Sequence, residues 1–176
     1  MIDNLSVLYK KETIEFVVTA KEFLILLENL KASKKSTFLE NSLKILSLLY
    51  NKSIVLKNPE YDDDSFLEKF VNESHWIYVQ NNISEILEDD DIFVQLQDDN
   101  IISDSDYINV PISELYADLY QEMGDVIGAF KTENEDIMLA ALQCCFDNFK
   151  TYWGIRVLLL LENLHKIIFN QNNELY

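Results

Sequence analysis

The fold is decided by the stretch PISELYADLYQEMGDVIGAF, residues 111–130. Its apolar residues recur at steps of three and four, which is the spacing of one face of an α-helix. Pro111 suits the first turn of such a helix, where its missing N–H leaves no hydrogen bond unmade. The stretch therefore predicts a long amphipathic helix, whose buried face consists of Ile112, Leu115, Tyr116, Leu119, Tyr120, Met123, Val126, Ile127 and Phe130.

The same helix carries three acidic residues, Asp118, Glu122 and Asp125, at i, i+4 and i+7. This spacing places them in one ridge beside the apolar face. Like charges along one side of a helix are typical of a face in contact with water. We expect the ridge to be solvated.

A second long helical run covers residues 134–169 and includes FKTYWGIRVLLLLENLH, residues 149–165. Asn134 is a favourable N-cap, and Glu135 and Asp136 follow it in the first turn, where the helix dipole favours acidic side chains. Gly154 lies inside the run and costs about 1 kcal/mol relative to alanine. A glycine in this position indicates either a kink or a close crossing by another helix.

The first half of the chain predicts three more helices. One covers residues 13–31, and a second begins at the capping-box sequence TFLE, residues 37–40. The short loop between them favours an antiparallel hairpin. Residues 65–71 predict one or two helical turns, and Asn72 or Ser74 is expected to cap the third helix.

Two runs of acidic residues, Asp62–Asp64 and Glu88–Asp91, lie outside the predicted helices. They lack the alternating ligand positions and the sixth-position glycine of an EF-hand loop, so we expect both to be solvated. Residues 88–109 have no clean apolar period. We interpret them as an acidic connector with a short helix near residues 92–96.

Together these elements predict an all-α protein, a single-domain antiparallel helical bundle of about six helices over residues 1–176. N-terminal helices occupy residues 12–87, the acidic connector residues 88–109, and the core helix pair residues 110–169. The composition agrees, because 48% of the 176 residues are hydrophobic and only 3 are Gly and 2 Pro. That balance is typical of a globular, helix-rich chain.

The net charge of −17 restricts the classes of partner. It repels the phosphates of nucleic acids and of anionic membranes, so we expect neither as a direct partner. It attracts a basic protein or metal cations. The sequence leaves the oligomeric state open.

The sequence favours a cytoplasmic location of the protein. Met1 leads into a polar start without the apolar core of a secretory signal, and no window reaches the ~20 apolar residues of a membrane-spanning helix. Cys144 and Cys145 are adjacent on a helix and point about 100° apart, so they cannot easily form a disulfide with each other. Unpaired thiols are typical of a reducing compartment.

The motifs of common catalytic and metal sites are absent from the sequence. Glu162 and His165 form a Glu-x-x-His pair, but no second pair completes a di-iron site. No phosphate-binding glycine loop and no nucleophile elbow occur. We therefore assign no catalytic residue, no metal ligand and no cofactor.

A polar cleft between the two long helices is the candidate site. His165 lies eleven residues after Gly154, so the two are only about 20° apart around an ideal helix. If another helix crosses at Gly154, the helix over 112–130 is the natural neighbour. The arrangement is then either an ion pair that fixes register or a pocket formed by Asp118, Tyr120, Glu122, Trp153, Arg156 and His165.

The last helices also resemble a known family through Asp118-Leu119-Tyr120, Tyr152-Trp153-Gly154 and Leu164-His165. The chain resembles, over nearly its whole length, a bacterial family called domain of unknown function five thousand and sixty-three. The resemblance implies an all-helical cytoplasmic protein with no established activity. Ile155 and Arg156 stand where many relatives carry Arg and His, so a role of that Arg–His pair is not carried over.

Two classes of function follow from these observations. The first is a non-enzymatic binding protein, in its most specific form an acidic inhibitor or immunity-type protein for a basic partner. The alternative is an enzyme or sensor that binds a small ligand or a metal in the polar cleft. Arg156 and His165 distinguish the two, because their loss removes ligand binding only if the cleft is a binding site.

Overall fold

The computed structural model describes residues 7–96 and 107–170, which form six α-helices and two β-strands. The helices and strands follow one another along the chain as α1 (Lys11–Glu28), α2 (Lys35–Val55), α3 (Glu73–Leu87), β1 (Ile92–Leu96), β2 (Tyr107–Pro111), α4 (Ile112–Lys131), α5 (Glu135–Asn148) and α6 (Gly154–Asn170). A π-helical turn, Phe149–Trp153, joins α5 to α6. None of the helices described is long and apolar enough to cross a membrane.

Helix α4 is the centre of the bundle, as its apolar stripe predicts. It packs against α1, α3, α5 and α6, while α2 packs between α1 and α6. Tyr120 and Phe130 are partly buried, and the other residues of the predicted stripe are buried. Tyr116 is fully buried and lies against Phe23 of α1 and Phe38 of α2, with ring centroids 6.3 Å and 5.5 Å away. One aromatic cluster thus joins three helices in the core.

Two of the predicted helix starts are confirmed. The Asn72 side chain accepts a hydrogen bond from the His75 N–H at 3.0 Å and caps α3. The Asn134 side chain accepts from the N–H groups of Asp136 and Ile137 and caps α5. In both helices, a side-chain oxygen accepts hydrogen bonds from N–H groups that the first helical turn leaves unpaired.

The capping box predicted at residues 37–40 does not start α2. The helix begins at Lys35, after an extended Lys34 that makes no side-chain cap. Phe38 and Leu39 are buried within its first turns. Their burial against the core stabilises those turns without a side-chain cap, because apolar contacts outweigh one local hydrogen bond.

The short helix predicted near residues 92–96 is wrong, because Ile92–Leu96 is the strand β1. It pairs antiparallel with β2, and the register places Ile92 opposite Pro111 and Val94 opposite Asn109. The sequence IFVQL is rich in β-branched and aromatic residues, which favour a strand once a partner strand is available. Residues 97–106 of the predicted acidic connector lie outside the described part of the chain.

The acidic run Glu88–Asp91 is not simply solvated. Asp91 is buried, and its carboxylate accepts hydrogen bonds from Ser113 N at 2.7 Å and Ser113 Oγ at 2.8 Å, which caps the start of α4. Lys35 Nζ donates to the Leu87 carbonyl at 2.5 Å and lies 2.9 Å from Asp90. The run therefore caps the start of α4 and holds Lys35, which donates to the carbonyl at the end of α3.

Gly154 does not mark a close crossing with α4. A Cβ on this glycine would collide with the Phe149 carbonyl oxygen and lie 3.0 Å from atoms of the Phe149 ring. Phe149 belongs to the π-helical turn just before Gly154, and its carbonyl accepts the Gly154 N–H. The glycine therefore accommodates an irregularity of its own helix.

Candidate functional site

A cluster of polar side chains joins four elements at the Asp118 carboxylate of α4. Asp118 Oδ2 accepts hydrogen bonds from the Tyr152 hydroxyl at 2.9 Å and from Arg156 Nε at 3.0 Å. Its Oδ1 accepts a hydrogen bond from Trp76 Nε1 at 3.1 Å. One carboxylate thus connects α4 to α3, to the π-helical turn and to α6.

The Arg156 guanidinium is also held by Tyr152. Its Cζ lies 3.6 Å from the Tyr152 ring centroid, and Nη1 donates to the Tyr152 carbonyl at 3.1 Å. Burial and the Asp118 carboxylate raise the pKa of Tyr152, so its hydroxyl stays a hydrogen-bond donor at neutral pH. These hydrogen bonds hold α3, the π-helical turn and α6 against α4, which makes the cluster a clamp between elements.

Tyr120 and Glu122 lie on the same helix as Asp118 but have other partners. The Tyr120 hydroxyl donates to Glu28 Oε1 at 3.3 Å. Both oxygens of Glu122 accept from Asn148 Nδ2 at 3.1 Å. Burial raises the pKa of the Glu122 carboxyl, although Asn148 and a nearby lysine act in the opposite direction.

Trp153 and His165 also lie apart from the Asp118 cluster. Trp153 is buried, and its Nε1 donates to the Cys145 carbonyl at 3.0 Å. His165 is exposed, and its ring packs against Phe169 with centroids 4.7 Å apart. It is nine residues beyond Arg156, or ~14 Å along the helix. Of the six residues predicted for the cleft, the structure brings Asp118 and Arg156 together.

The predicted solvated ridge on α4 is wrong for Asp125, which is only 6% exposed. Asp125 Oδ1 accepts hydrogen bonds from the backbone N–H groups of Phe70 at 2.7 Å and Val71 at 2.9 Å. Lys69 Nζ lies 3.0 Å from Oδ2. Asp125 therefore anchors the 67–71 segment, which precedes α3, onto the side of α4.

Two glycines that flank Asp125 make this anchoring possible. A Cβ on Gly124 would collide with the Val71 side chain, and a Cβ on Gly128 would collide with the Phe70 ring. Their missing side chains let the 67–71 segment approach the backbone of α4. The signal in the sequence was a pair of glycines at i and i+4 within an otherwise strong helix pattern.

A groove of about 400 Å³ runs beside this segment, between α1 and α4. We call it the α1–α4 groove. Glu28 and Tyr120, joined by their hydrogen bond, line one part of it, and the two glycines also contribute to its lining. Its lining consists of Leu24, Glu28, Phe70, Val71, His75, Tyr120, Gly124, Ile127, Gly128, Lys131 and Thr132.

The described residues offer little for metal or thiol chemistry. Within residues 7–96 and 107–170, no group of three or more His, Cys, Asp or Glu side chains is placed to hold a metal ion. Both cysteines are free thiols. Burial raises the pKa of Cys144 and raises the pKa of Cys145 well above its usual value, so both stay protonated at neutral pH.

Comparison with known proteins assigns a family but no activity. The family model described as Domain of unknown function (DUF5063) matches residues 7–170. The fold is similar to the crystal structure of protein BF1032 from Bacteroides fragilis, with 32% sequence identity and a TM-score of 0.83 over 93% of this chain and 96% of that one. No curated protein matches. The chain therefore belongs to the DUF5063 family of helical domains of unknown function.

Proposed function

We propose that the protein is a non-enzymatic cytoplasmic binding protein that recognises a basic protein partner, as an acidic inhibitor or immunity-type protein does. The observation that carries the proposal is the charge balance of 31 acidic residues against 14 Lys and Arg, a net charge of −17. Such a charge speeds capture of a positively charged partner. It also disfavours nucleic acids and anionic membranes as partners.

Internal ion pairs engage only some of the acidic residues. Among the described residues, the carboxylates within 4.0 Å of a lysine or arginine belong to Glu15, Glu88, Asp90, Asp118, Asp125, Asp147 and Glu162. Glu40, Glu85 and Glu114 are exposed and take part in none of these pairs. Charges of this kind are available to a partner and act over about one Debye length.

The alternative is a small-ligand or metal site, in an enzyme or a sensor, at the Asp118–Arg156 cluster. The observation in its favour is exposure, since Tyr152 is 37% exposed and the Arg156 side chain 27%. The internal hydrogen bonds to Asp118 favour the structural role instead. Arg156→Ala separates the two, because it abolishes binding under the alternative and leaves partner binding intact under the main proposal.

The test is affinity capture from an extract of the native cell, at about 0.05 M and about 0.5 M salt. A triple variant, E40Q/E85Q/E114Q, removes three negative charges that take part in no ion pair among the described residues. Its matched control, E40D/E85D/E114D, keeps the charge at the same positions.

The proposal predicts capture of a basic protein by wild type and the Asp control at low salt. It predicts weaker capture by the Gln variant and loss of capture at high salt. Capture of no basic protein, or capture that salt and the Gln variant leave unchanged, would contradict it.

A further inference from the structure

We infer that the α1–α4 groove binds a lysine or arginine side chain, with the cationic group against Glu28 and the Tyr120 ring. The inference deepens the proposed function and rests on it, because it states where a basic partner is recognised.

The Glu28 end combines a carboxylate with aromatic rings. The Tyr120 hydroxyl already donates to Glu28, which fixes the carboxylate beside the ring. Phe70 also lines the groove. Within the described residues Glu28 makes no ion pair, so its charge is not neutralised by a lysine or arginine of the chain itself. Carboxylates and aromatic faces are the groups that bind ammonium and guanidinium ions.

Apolar side chains in the lining suit the apolar stem of a long side chain. Phe70 and Val71 lie over Gly124 and Gly128, and Leu24 and Ile127 add apolar contacts. The methylenes of lysine and arginine pack along apolar surfaces while the charged end reaches a polar group. The groove therefore matches both parts of such a side chain.

The end of the groove away from Glu28 sets the orientation of the bound side chain. Lys131 and Thr132 line the groove eleven or twelve residues after Tyr120, which is ~17 Å along α4. A positive charge at that end repels a cation. The cationic group is therefore expected at the Glu28 end.

Two other grooves of similar volume lack this combination. One is lined by residues near Leu30 and Glu85, the other by residues near Lys10 and Pro59, and neither lining contains an aromatic ring. A carboxylate with rings beside it distinguishes the α1–α4 groove from these two.

The chain offers an NMR test, because it has only 3 glycines. Protein labelled with ¹⁵N at glycine gives one backbone signal each for Gly124 and Gly128 in the groove lining and for Gly154 away from it. The probes are acetylated tripeptide amides Gly-Lys-Gly and Gly-Arg-Gly, with Gly-norleucine-Gly as the uncharged control. We expect saturable shifts of Gly124 and Gly128 with the cationic probes and none of Gly154.

Two variants test the contact itself. Glu28→Gln raises the Kd of the cationic probes about fivefold, the size expected for a partly exposed cation site. Glu22→Gln makes the same change in charge on another face of α1 and leaves the Kd unchanged. Equal shifts with the norleucine probe, an unchanged Kd in Glu28→Gln, or unmoved Gly124 and Gly128 signals would overturn the inference.

A failure of the groove inference can be distinguished from a failure of the proposed function. Salt-dependent capture of a basic protein together with unmoved glycine signals removes the groove and keeps the proposed function. Saturable shifts without any captured partner support the cation site and contradict the proposed function.

Discussion

Asp125 is predicted to contribute more to stability than any ion pair on the surface. Its carboxylate accepts two backbone hydrogen bonds, from Phe70 and Val71, and is 6% exposed. Asp125→Ala leaves both N–H groups without this acceptor. At ~1.5–3 kcal/mol for each hydrogen bond to a charged group, we expect a loss of about 3 kcal/mol or more in the free energy of unfolding.

Two further substitutions separate the backbone contacts from the ion pair. Asp125→Asn keeps an acceptor oxygen and loses the charge, so we expect a loss of about 1–1.5 kcal/mol. Lys69→Met removes only the ion pair. The Lys69 side chain is 55% exposed, so solvent screening limits that loss to less than about 1 kcal/mol.

Urea unfolding at neutral pH measures these free energies, and hydrogen exchange at the Phe70 and Val71 amides reports the anchoring directly. In Asp125→Ala both amides exchange faster, while in Lys69→Met they stay protected. If Asp125→Ala costs no more than Lys69→Met, the anchoring of the 67–71 segment is refuted.

Four other substitutions have expected outcomes. Gly154→Leu lowers the free energy of unfolding by more than about 2 kcal/mol, because the side chain overlaps the Phe149 carbonyl and ring; an unchanged urea midpoint contradicts this. Burial raises the pKa of Glu122 in the folded state, so ionising it costs stability as the pH rises through that pKa. Glu122→Gln is therefore more stable than wild type at neutral pH, and the difference disappears below about pH 4; thermal unfolding over this pH range measures it. Arg156→Ala lowers the free energy of unfolding by about 1 kcal/mol, because it removes the ion pair with Asp118. His165 is exposed, so His165→Ala changes the free energy of unfolding by less than about 0.5 kcal/mol. Equal losses for the two variants in urea unfolding would contradict the assignment of Arg156 to the Asp118 cluster.

The long helices were predictable because their signals are local and repeat along the chain. The apolar residues of α4 recur over five turns, and Asn72 and Asn134 satisfy N–H groups only two or three residues away. The strand β1 was not predictable in this way. Five residues rich in apolar side chains fit a short strand or a helix segment equally well, and pairing with β2 decides between them.

The candidate site also combines residues that have a local sequence signal with contacts that only packing decides. Asp118 and Arg156 were both identified as candidates, and they do meet. Packing between the helices decides which of Arg156 and His165 reaches Asp118, and the nine residues between them then leave His165 out of reach. The role of Asp125 was missed because its partners, Phe70 and Val71, are 55 and 54 residues earlier in the chain. They lie in a segment without a helical period, so no local pattern connects them to α4.

The groove between α1 and α4 could not be predicted for a related reason. Glu28 and Tyr120 are 92 residues apart, and each taken alone is an ordinary helix residue. The two glycines carry a local signal. Their role, which is to make room for Phe70 and Val71, depends on where the 67–71 segment packs.

The central claim is that the negative charge of this protein serves to capture a basic partner. The most direct test is the association rate constant with the captured partner, measured by stopped-flow mixing as salt rises from about 0.05 M to about 0.5 M. We predict a fall of about tenfold or more, a smaller rate constant for E40Q/E85Q/E114Q at low salt, and the wild-type value for the matched Asp control. An association rate constant that neither salt nor the Gln variant changes would contradict the claim.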